Sequence, residues 1–517
     1  MSETTTALPA NVRRYAKYLL IMAGLGGLIY GIDVGVIAAA LPYIRNTANY
    51  GKWELGFVVS AVLWGSVVSS LFAGSLSEWL GRKKIIIASA FCFFISIPVI
   101  CLSGLFDGGN FLLLTVGRTL QGASAGLVGV VVPMYLAECL DSDSRGKGTG
   151  MFQLLLTIGL AFAAVIGLVV TGLVGDSDKV VKAAAEANGV EVAKVTLAEI
   201  KSWVPADQFK SWVTAWQTIF LCSAVPGLIL FLGAFGLKES PRWLYKKGRR
   251  EEALASLAAN NGEAKAAEIL EEMIAADKAA EAEKAAIAKA AQGDSLFQRK
   301  YVYPFLLAVT ILACNQATGI NSVLNYTVDI FKETGMVGVF ANFSDLAIKL
   351  VNVFMTIVAC ALVDKKGRKF LLKLGTGGII VGLCGVGTVF LAIKSGLVAA
   401  SMITGVVATA FFFMFIAFYA VGPGVCVWLA LSELMPTRIR ATGMSIAMII
   451  NQGVSATIAS VFPAWVAGWG FAPVFYCLAG FTVVYFVTAA FFLPETKGRT
   501  LEEIEQYFKT GKMPEKE

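Results

Sequence analysis

The feature that most constrains this chain is a series of uninterrupted apolar runs. Each is about 20 residues or longer, enough to cross the hydrocarbon core of a bilayer. Twelve are counted: residues 18–41, 55–80, 85–106, 111–137, 148–174 and 218–237 in the first half, then 305–331, 340–363, 370–393, 397–434, 441–467 and 471–493 in the second. With 57% hydrophobic and 15% charged residues in 517, the apolar content is too continuous for a soluble globular domain. Backbone groups inside lipid must pair within their own segment, so the runs are expected to be helices and the fold an all-α membrane protein.

The net charge of +7 is not a nucleic-acid signal, because the basic residues sit in short connections between runs. They cluster at 82–84, 145–147, 242–250, 365–369, 438–440 and 497–499. With twelve spans all of these fall on one side, together with both termini, and the positive-inside rule makes that side the cytoplasm. A multi-pass protein of the cell (inner) membrane is therefore expected. No secretory signal is read in residues 1–17, which lack a short apolar core with a cleavage site. The nine cysteines are dispersed in or beside the apolar runs, so no disulfide framework is implied. There is no histidine. Proton chemistry must then use carboxylates, and a His-based metal site is excluded. No phosphate loop, nucleophile–base pair or metal cluster is found, so neither an enzyme nor a cofactor is expected.

The connections repeat. Gly81-Arg82-Lys83-Lys84 after the second run has its counterpart in Gly367-Arg368-Lys369 after the eighth. Glu138 with Arg145 and Gly150 is matched by Glu433 with Arg438, Arg440 and Gly443. Leu237-Lys238-Glu239 is matched by Leu493-Pro494-Glu495. Equivalent marks after spans two, four and six of each half indicate a parallel duplication of six helices. The expected organisation is a terminal segment 1–17, a first half 18–239, a linker 240–300, a second half 301–494 and a tail 495–517. The linker is rich in Ala, Glu and Lys. It opens with Ser240-Pro241, a helix start, and suits solvated helices beneath the bundle. An outer loop, 176–215, is expected to hold two short helices, the second capped by Thr196 and Glu199.

Two sets of polar residues lie at membrane depth. The seventh run carries Asn315, Gln316, Asn321 and Asn325, which share a broad face at about 100° per residue, with Thr318 and Gly319 loosening the backbone between them. Such amides are either glue between packed helices or the lining of a wet cavity that grips a ligand rich in hydroxyls, since amides both donate and accept. In the first run Asp33 lies roughly 12 Å below the outer surface, and Arg118 of the fourth roughly 10 Å below it. An acid and a base at matching depth are expected to pair, because a lone charge in hydrocarbon is expensive. The pair is either a fixed strut or a switch in which Asp33 takes a proton when the pair opens.

Taken together, the loop Gly74 to Lys84, Glu239-Ser240-Pro241-Arg242-Trp243-Leu244, Gln316-Ala317-Thr318-Gly319-Ile320-Asn321, the Gly422 to Trp428 stretch and Pro494-Glu495-Thr496-Lys497-Gly498 resemble the sugar porter family of the major facilitator superfamily, over nearly the whole chain. The resemblance implies twelve helices in two pseudo-symmetric halves with cytoplasmic helices between them. It also implies a monomer whose partners are a monosaccharide, a proton and the lipid bilayer. Asp33 and Arg118 match the positions that carry proton coupling in bacterial and plant sugar–proton symporters. Gln153, Asn352, Trp428 and Asn451 align with sugar contacts, and Gln452 adjoins them. Gly422-Pro423-Gly424 implies a hinge before Trp428. Glu78, Arg82, Glu138 and Arg145 of one half, and Asp364, Arg368, Glu433, Arg438 and Arg440 of the other, imply salt bridges that close the cytoplasmic side. The chain departs from the family pattern at Asn315, Asn325, Ala420 and Gln452. Lys349 adds an unusual charge, expected either to pair with Asp345 and reach the outer surface or to face the cavity. These departures leave the sugar open. The expected activity is proton-coupled import of a hexose or pentose. A uniporter with the same site or a non-transporting sensor are the alternatives, and the short tail argues against the sensor.

Overall fold

A computed structural model describes residues 9–139, 142–290, 297–336, 338–436, 439–495 and 501–510, and no strand occurs among them. Among the described residues, twelve helical segments are long and apolar enough to span a membrane. The first half contains α1 (Ala10–Thr47), α2 (Lys52–Leu80), α3 (Arg82–Ser103), α4 (Phe111–Cys139) and α5 (Ser142–Val174). It continues through the short α6 (Ser177–Ala187) and α7 (Leu197–Trp203) to α8 (Ala206–Ala234). Between the halves run α9 (Pro241–Lys246), α10 (Arg250–Asn261) and α11 (Glu263–Ala290). The second half holds α12 (Arg299–Ala317), α13 (Ile320–Glu333), α14 (Val339–Lys366), α15 (Arg368–Lys394), α16 (Met402–Val421), α17 (Pro423–Leu434), α18 (Arg440–Trp469) and α19 (Phe471–Val487), with α20 (Leu501–Thr510) after it. The two faces are called inner and outer after the charge bias of the loops.

The seventh and tenth spans are each broken, and local chemistry explains both breaks. At the seventh, Gly319 has φ +79°, a left-handed conformation that costs a residue without a Cβ nothing, and it caps α13. At the tenth, Pro423 opens α17 because it has no N–H to give to the preceding turn. The sixth span begins at Ala206, earlier than the apolar run suggests, and Pro205 caps it instead of merely ending α7. Asp207, Gln208 and Lys210 hide the helix from a hydropathy reading, while Trp212 and Trp216 in the same stretch are buried.

The duplication survives in backbone detail. Gly81 and Gly367 have φ/ψ of 99/156 and 88/155, and each turns the chain between two spans. Glu239 accepts from the Arg82 N–H at 2.8 Å and Glu495 from the Arg368 N–H at 3.2 Å, so each half ends by tying its last helix to that turn. Close packing fixes α1. A Cβ on Gly27 or Gly31 would overlap the carbonyl oxygens of Phe152 or Leu156, so these small residues let α1 and α5 touch backbone to backbone. Leu221, Val225, Ile229 and Leu232 of α8 point outward, as lipid-facing residues do. The linker helices have a core of their own around Trp243, Leu257 and Leu270, and the Trp243 indole donates to the Glu78 carbonyl at 2.9 Å.

Candidate functional site

The amides of the seventh span do not lie on one continuous helix. They flank the Thr318–Gly319 break, with Asn315 and Gln316 in the last turn of α12 and Asn321 and Asn325 in the first turns of α13. Broken spans place polar groups at the membrane midplane in this way. Gln316 Nε2 donates to Asn451 Oδ1 of α18 at 3.3 Å, and Asn321 Nδ2 donates to Gln316 Oε1 at 3.0 Å and to Ser455 Oγ at 2.7 Å. Asn451 Nδ2 in turn donates to the Leu312 carbonyl at 2.9 Å, which pins α18 to α12. The amide oxygens of Asn315 and Asn325 are buried and have no hydrogen-bond donor among the described residues. Tyr419 of α16 faces Asn315.

Gln452, adjacent to Asn451, is half-buried and faces the phenol of Tyr30 on α1 across the seam between the halves. Gln153 on α5 and Asn352 on α14 are half-buried. Ser455, Tyr419 and Tyr30 escaped sequence reasoning because a lone hydroxyl on an apolar helix looks like any packing residue. Their positions relative to Asn321, Asn315 and Asp33 are the signal that separates them.

Asp33 and Arg118 do come together in the first half, both fully buried, but not as the carboxylate–guanidinium pair expected. Arg118 Nη1 donates to the Asp33 main-chain carbonyl at 3.2 Å and to Gln121 Oε1 at 2.9 Å, and the guanidinium lies 5.6 Å from the Phe220 ring centroid. Neither Asp33 carboxylate oxygen has a hydrogen-bond partner among the described residues. Gln121, one turn beyond Arg118, supplies the acceptor that competes for the guanidinium, which sequence depth alone does not reveal.

Arg82, buried at the inner face, donates through Nε and Nη2 to Glu138 at 2.9 Å each and through Nη2 to Glu78 at 2.8 Å. Ser240 also donates to Glu138. The cluster binds α2, α3, α4 and α9 of the first half to one another, as expected for that half. Of the second-half set, Arg368 is half-buried at the start of α15. The side chains of Arg145, Asp364, Trp428, Glu433 and Arg440, and the whole of Arg438, lie outside the described residues. Lys349 pairs with Asp345 at 2.7 Å, as one reading expected, but the pair is wholly buried and does not reach the outer surface. Helical pitch explains the difference, because the lysine points back one turn along α14 into the bundle rather than out along it.

Comparison with known proteins agrees with this architecture. The sequence profile of the family described as "Sugar (and other) transporter" matches residues 19–508. A D-xylose transporter of Levilactobacillus brevis is 29% identical over 491 residues, 94% of each chain. The arabinose-proton symporter of Bacillus subtilis is 28% identical over 515 residues, 98% of this chain and 99% of that one. The major myo-inositol transporter IolT of Bacillus subtilis is 28% identical over 502 residues, 96% and 95% of the two chains. Among solved structures, the xylose transporter XylE from E. coli in an inward open conformation superposes with a TM-score of 0.73 at 24% identity, covering 95% of this chain and 99% of that one. The protein is a multi-pass membrane transporter, not an enzyme, and it belongs to the sugar transporter family.

Proposed function

We propose that the protein imports a neutral monosaccharide together with a proton, by alternating access, across the cell membrane with both termini in the cytoplasm. The observation that carries this reading is the joined amide cluster at the break of the seventh span. Gln316, Asn321 and Asn451 are already ordered by one another, and the Asn315 and Asn325 oxygens are left over as acceptors. Sugar hydroxyls are donors that such oxygens can take up, while the ordered amides offer the rest of a donor–acceptor ring. A xylose transporter, an arabinose-proton symporter and an inositol transporter among the relatives support a polyhydroxylated substrate of this size.

Coupling rests on Asp33. A buried carboxyl with no hydrogen-bond donor among the described residues is expensive as a charge, which supports reading this arrangement as the proton-carrying one. Release would follow when the Arg118 guanidinium turns from the Asp33 carbonyl and Gln121 to the carboxylate. A fixed Asp33–Arg118 strut, as a uniporter would have, would show the carboxylate held by arginine, which favours the coupled reading. One proton per sugar at a membrane potential of 100 mV supplies ~2.3 kcal/mol, or about fifty-fold accumulation. The test is counterflow and pH-driven uptake of a panel of pentoses, hexoses and cyclic polyols in proteoliposomes. Asp33→Asn should lose accumulation driven by a pH gradient and retain counterflow between equal pools. Retained accumulation in that variant would refute the coupling role, and no counterflow of any panel member by the unaltered protein would refute the transport reading.

A further inference from the structure

The segment between α5 and α8 has no part in the site described above, yet its first turn crosses the seam. Asp176 and Asp178 stand at the start of α6, with Asp176 as its N-cap. Lys332, at the outer end of α13, donates to Asp176 at 2.6 Å and to Asp178 at 2.8 Å. Arg45, in the last turn of α1, donates to Asp178 at 3.0 Å and to Asp329 of α13 at 2.8 Å. Asp176 Oδ2 also accepts from the Gly338 N–H, the cap of α14, at 3.0 Å, and Asn46 donates to Asp178 at 2.6 Å. Two cations and three carboxylates thus form one chain that runs from the first half to the second and back.

These are not ordinary surface pairs. The Asp176 side chain is 5% exposed and that of Lys332 14%, so this end of the cluster is largely dehydrated, while Arg45 at the other end is 40% exposed. Partly buried pairs of this kind resist salt and hold their geometry better than exposed ones. The short helix does not stand alone, since Val181 and Ile200 of the segment pack into the same core as Ile44 and Val328. The helix that bears the amides is therefore held shut against α1 at its outer end by an element inserted from the other half.

We infer that Asp176 and Asp178 form an outer gate latch, which makes the α5–α8 segment a working part of the transport cycle. The inference rests on the alternating-access reading, because a latch matters only if the outer ends separate. Opening to the outside would require α13 to leave α1, and with it Arg45 and Lys332 would exchange protein carboxylates for water. Asp176 and Asp178 would then act as positioning residues: they touch no substrate, and set the balance between the two orientations of the site.

Hydrogen exchange on the purified full-length protein in lipid nanodiscs, without sugar, tests this. In Asp176→Asn/Asp178→Asn the outer ends of α1 and α13 should exchange about tenfold faster, the shift expected when partly buried charge pairs are removed. Uptake should show a lower KM for external sugar, since more molecules present the site outward. Lys332→Gln should act in the same direction. Faster exchange confined to α6 and α7, with α1 and α13 unchanged, would mean that the aspartates only anchor their own loop, and would overturn the proposal. So would a normal exchange pattern in Lys332→Gln. Absence of sugar counterflow by the unaltered protein would instead sink the transport reading and leave the exchange result standing.

Discussion

Replacing Asp345 by asparagine should be among the most damaging single changes in the second half, although the residue lies on no substrate path argued above. Lys349 is 0% exposed, and its ammonium lies 2.7 Å from Asp345 Oδ2. At an effective dielectric of about 20 that separation corresponds to ~6 kcal/mol of attraction, most of which offsets the cost of taking both charges out of water. Removing one partner leaves the other's desolvation uncompensated, and breaking a buried pair this way costs about 3–5 kcal/mol. Asparagine retains an oxygen that can accept from the lysine, so the lower end of that range is expected. Removing both charges at once should therefore be mild: Asp345→Leu/Lys349→Met is expected within about 1 kcal/mol of the parent, or more stable. SDS titration of the purified protein, followed by tryptophan fluorescence, gives both numbers. The argument fails if Asp345→Asn unfolds at the parent's midpoint, or if the double variant is as unstable as the single one.

Further outcomes follow from the geometry. Gly81→Ala and Gly367→Ala should each lose about 1–3 kcal/mol, because both require positive φ and a Cβ would press on the Glu239 or Glu495 carboxylate. Gly453→Ala, which has open space in α18, should be neutral or slightly stabilising in the same titration. Burial would raise the Asp178 carboxyl, but Arg45 and Lys332 outweigh it and bring it down to about 2, with Asn46 assisting. Its folded value is thus below its unfolded one. The stability it contributes should be complete above about pH 4 and fade only as pH falls toward 2. The difference in melting midpoint between the parent and Asp178→Asn should shrink as pH falls from about 4 toward 2, with Asp176, Asp329 and Glu333 as the other acids around Arg45 and Lys332. Gln316→Ala should weaken sugar binding by about tenfold through lost amide bonds, measured by calorimetry or counterflow. Asn451→Ala should in addition lower stability, since it frees the Leu312 carbonyl.

What could be read from the sequence was what depends on local composition. Apolar runs gave the spans, glycine and proline gave the breaks at Gly319 and Pro423, and the repeated Gly81 and Gly367 turns revealed the duplication. Thr196 with Glu199 announced α7 and Ser240 announced α9, because capping is decided within a few residues. Contacts between distant helices were not legible in the same way. Arg45, Asp176, Asp178, Asp329 and Lys332 are single charges at helix ends, where snorkelling or simple solvation explains each one alone. Only the fold brings them into one cluster. Equal depth placed Asp33 beside Arg118, but depth carries no rotational information, and so the preference of the guanidinium for Gln121 and a main-chain carbonyl stayed hidden. Likewise the amides were legible as a set, while their order of bonding depended on Ser455 and Leu312.

The seam between α1 and α13 is where these pieces must act on one another. α1 carries Asp33, packs its glycine face closely on α5, and presents Tyr30 to Gln452 and Arg45 to Asp329. α13 begins at the broken turn that holds Asn321 and ends in the carboxylate and lysine of the outer cluster. Because interhelical contacts are close-packed, they have few alternative arrangements, and a rigid α1 cannot absorb a change at one end without passing it on. A substrate that draws Asn321 toward itself moves the first turn of α13, and this loads Lys332 at its far end. A charge that appears on Asp33 pulls Arg118 and so loads α1 from the opposite side. Two ligands that bias the same pair of helices are coupled whether or not they touch, by an amount equal to their differential preference for the closed and open seam. The outer cluster sets the starting point of that balance, so weakening it should raise the rate of the step that opens outward and lower the accumulation a proton gradient can hold, through leak in the absence of sugar. Dissipation of an imposed pH gradient by sugar-free proteoliposomes bearing Asp176→Asn/Asp178→Asn should therefore be faster than with the parent, and an identical rate would show that the seam and the proton site are independent.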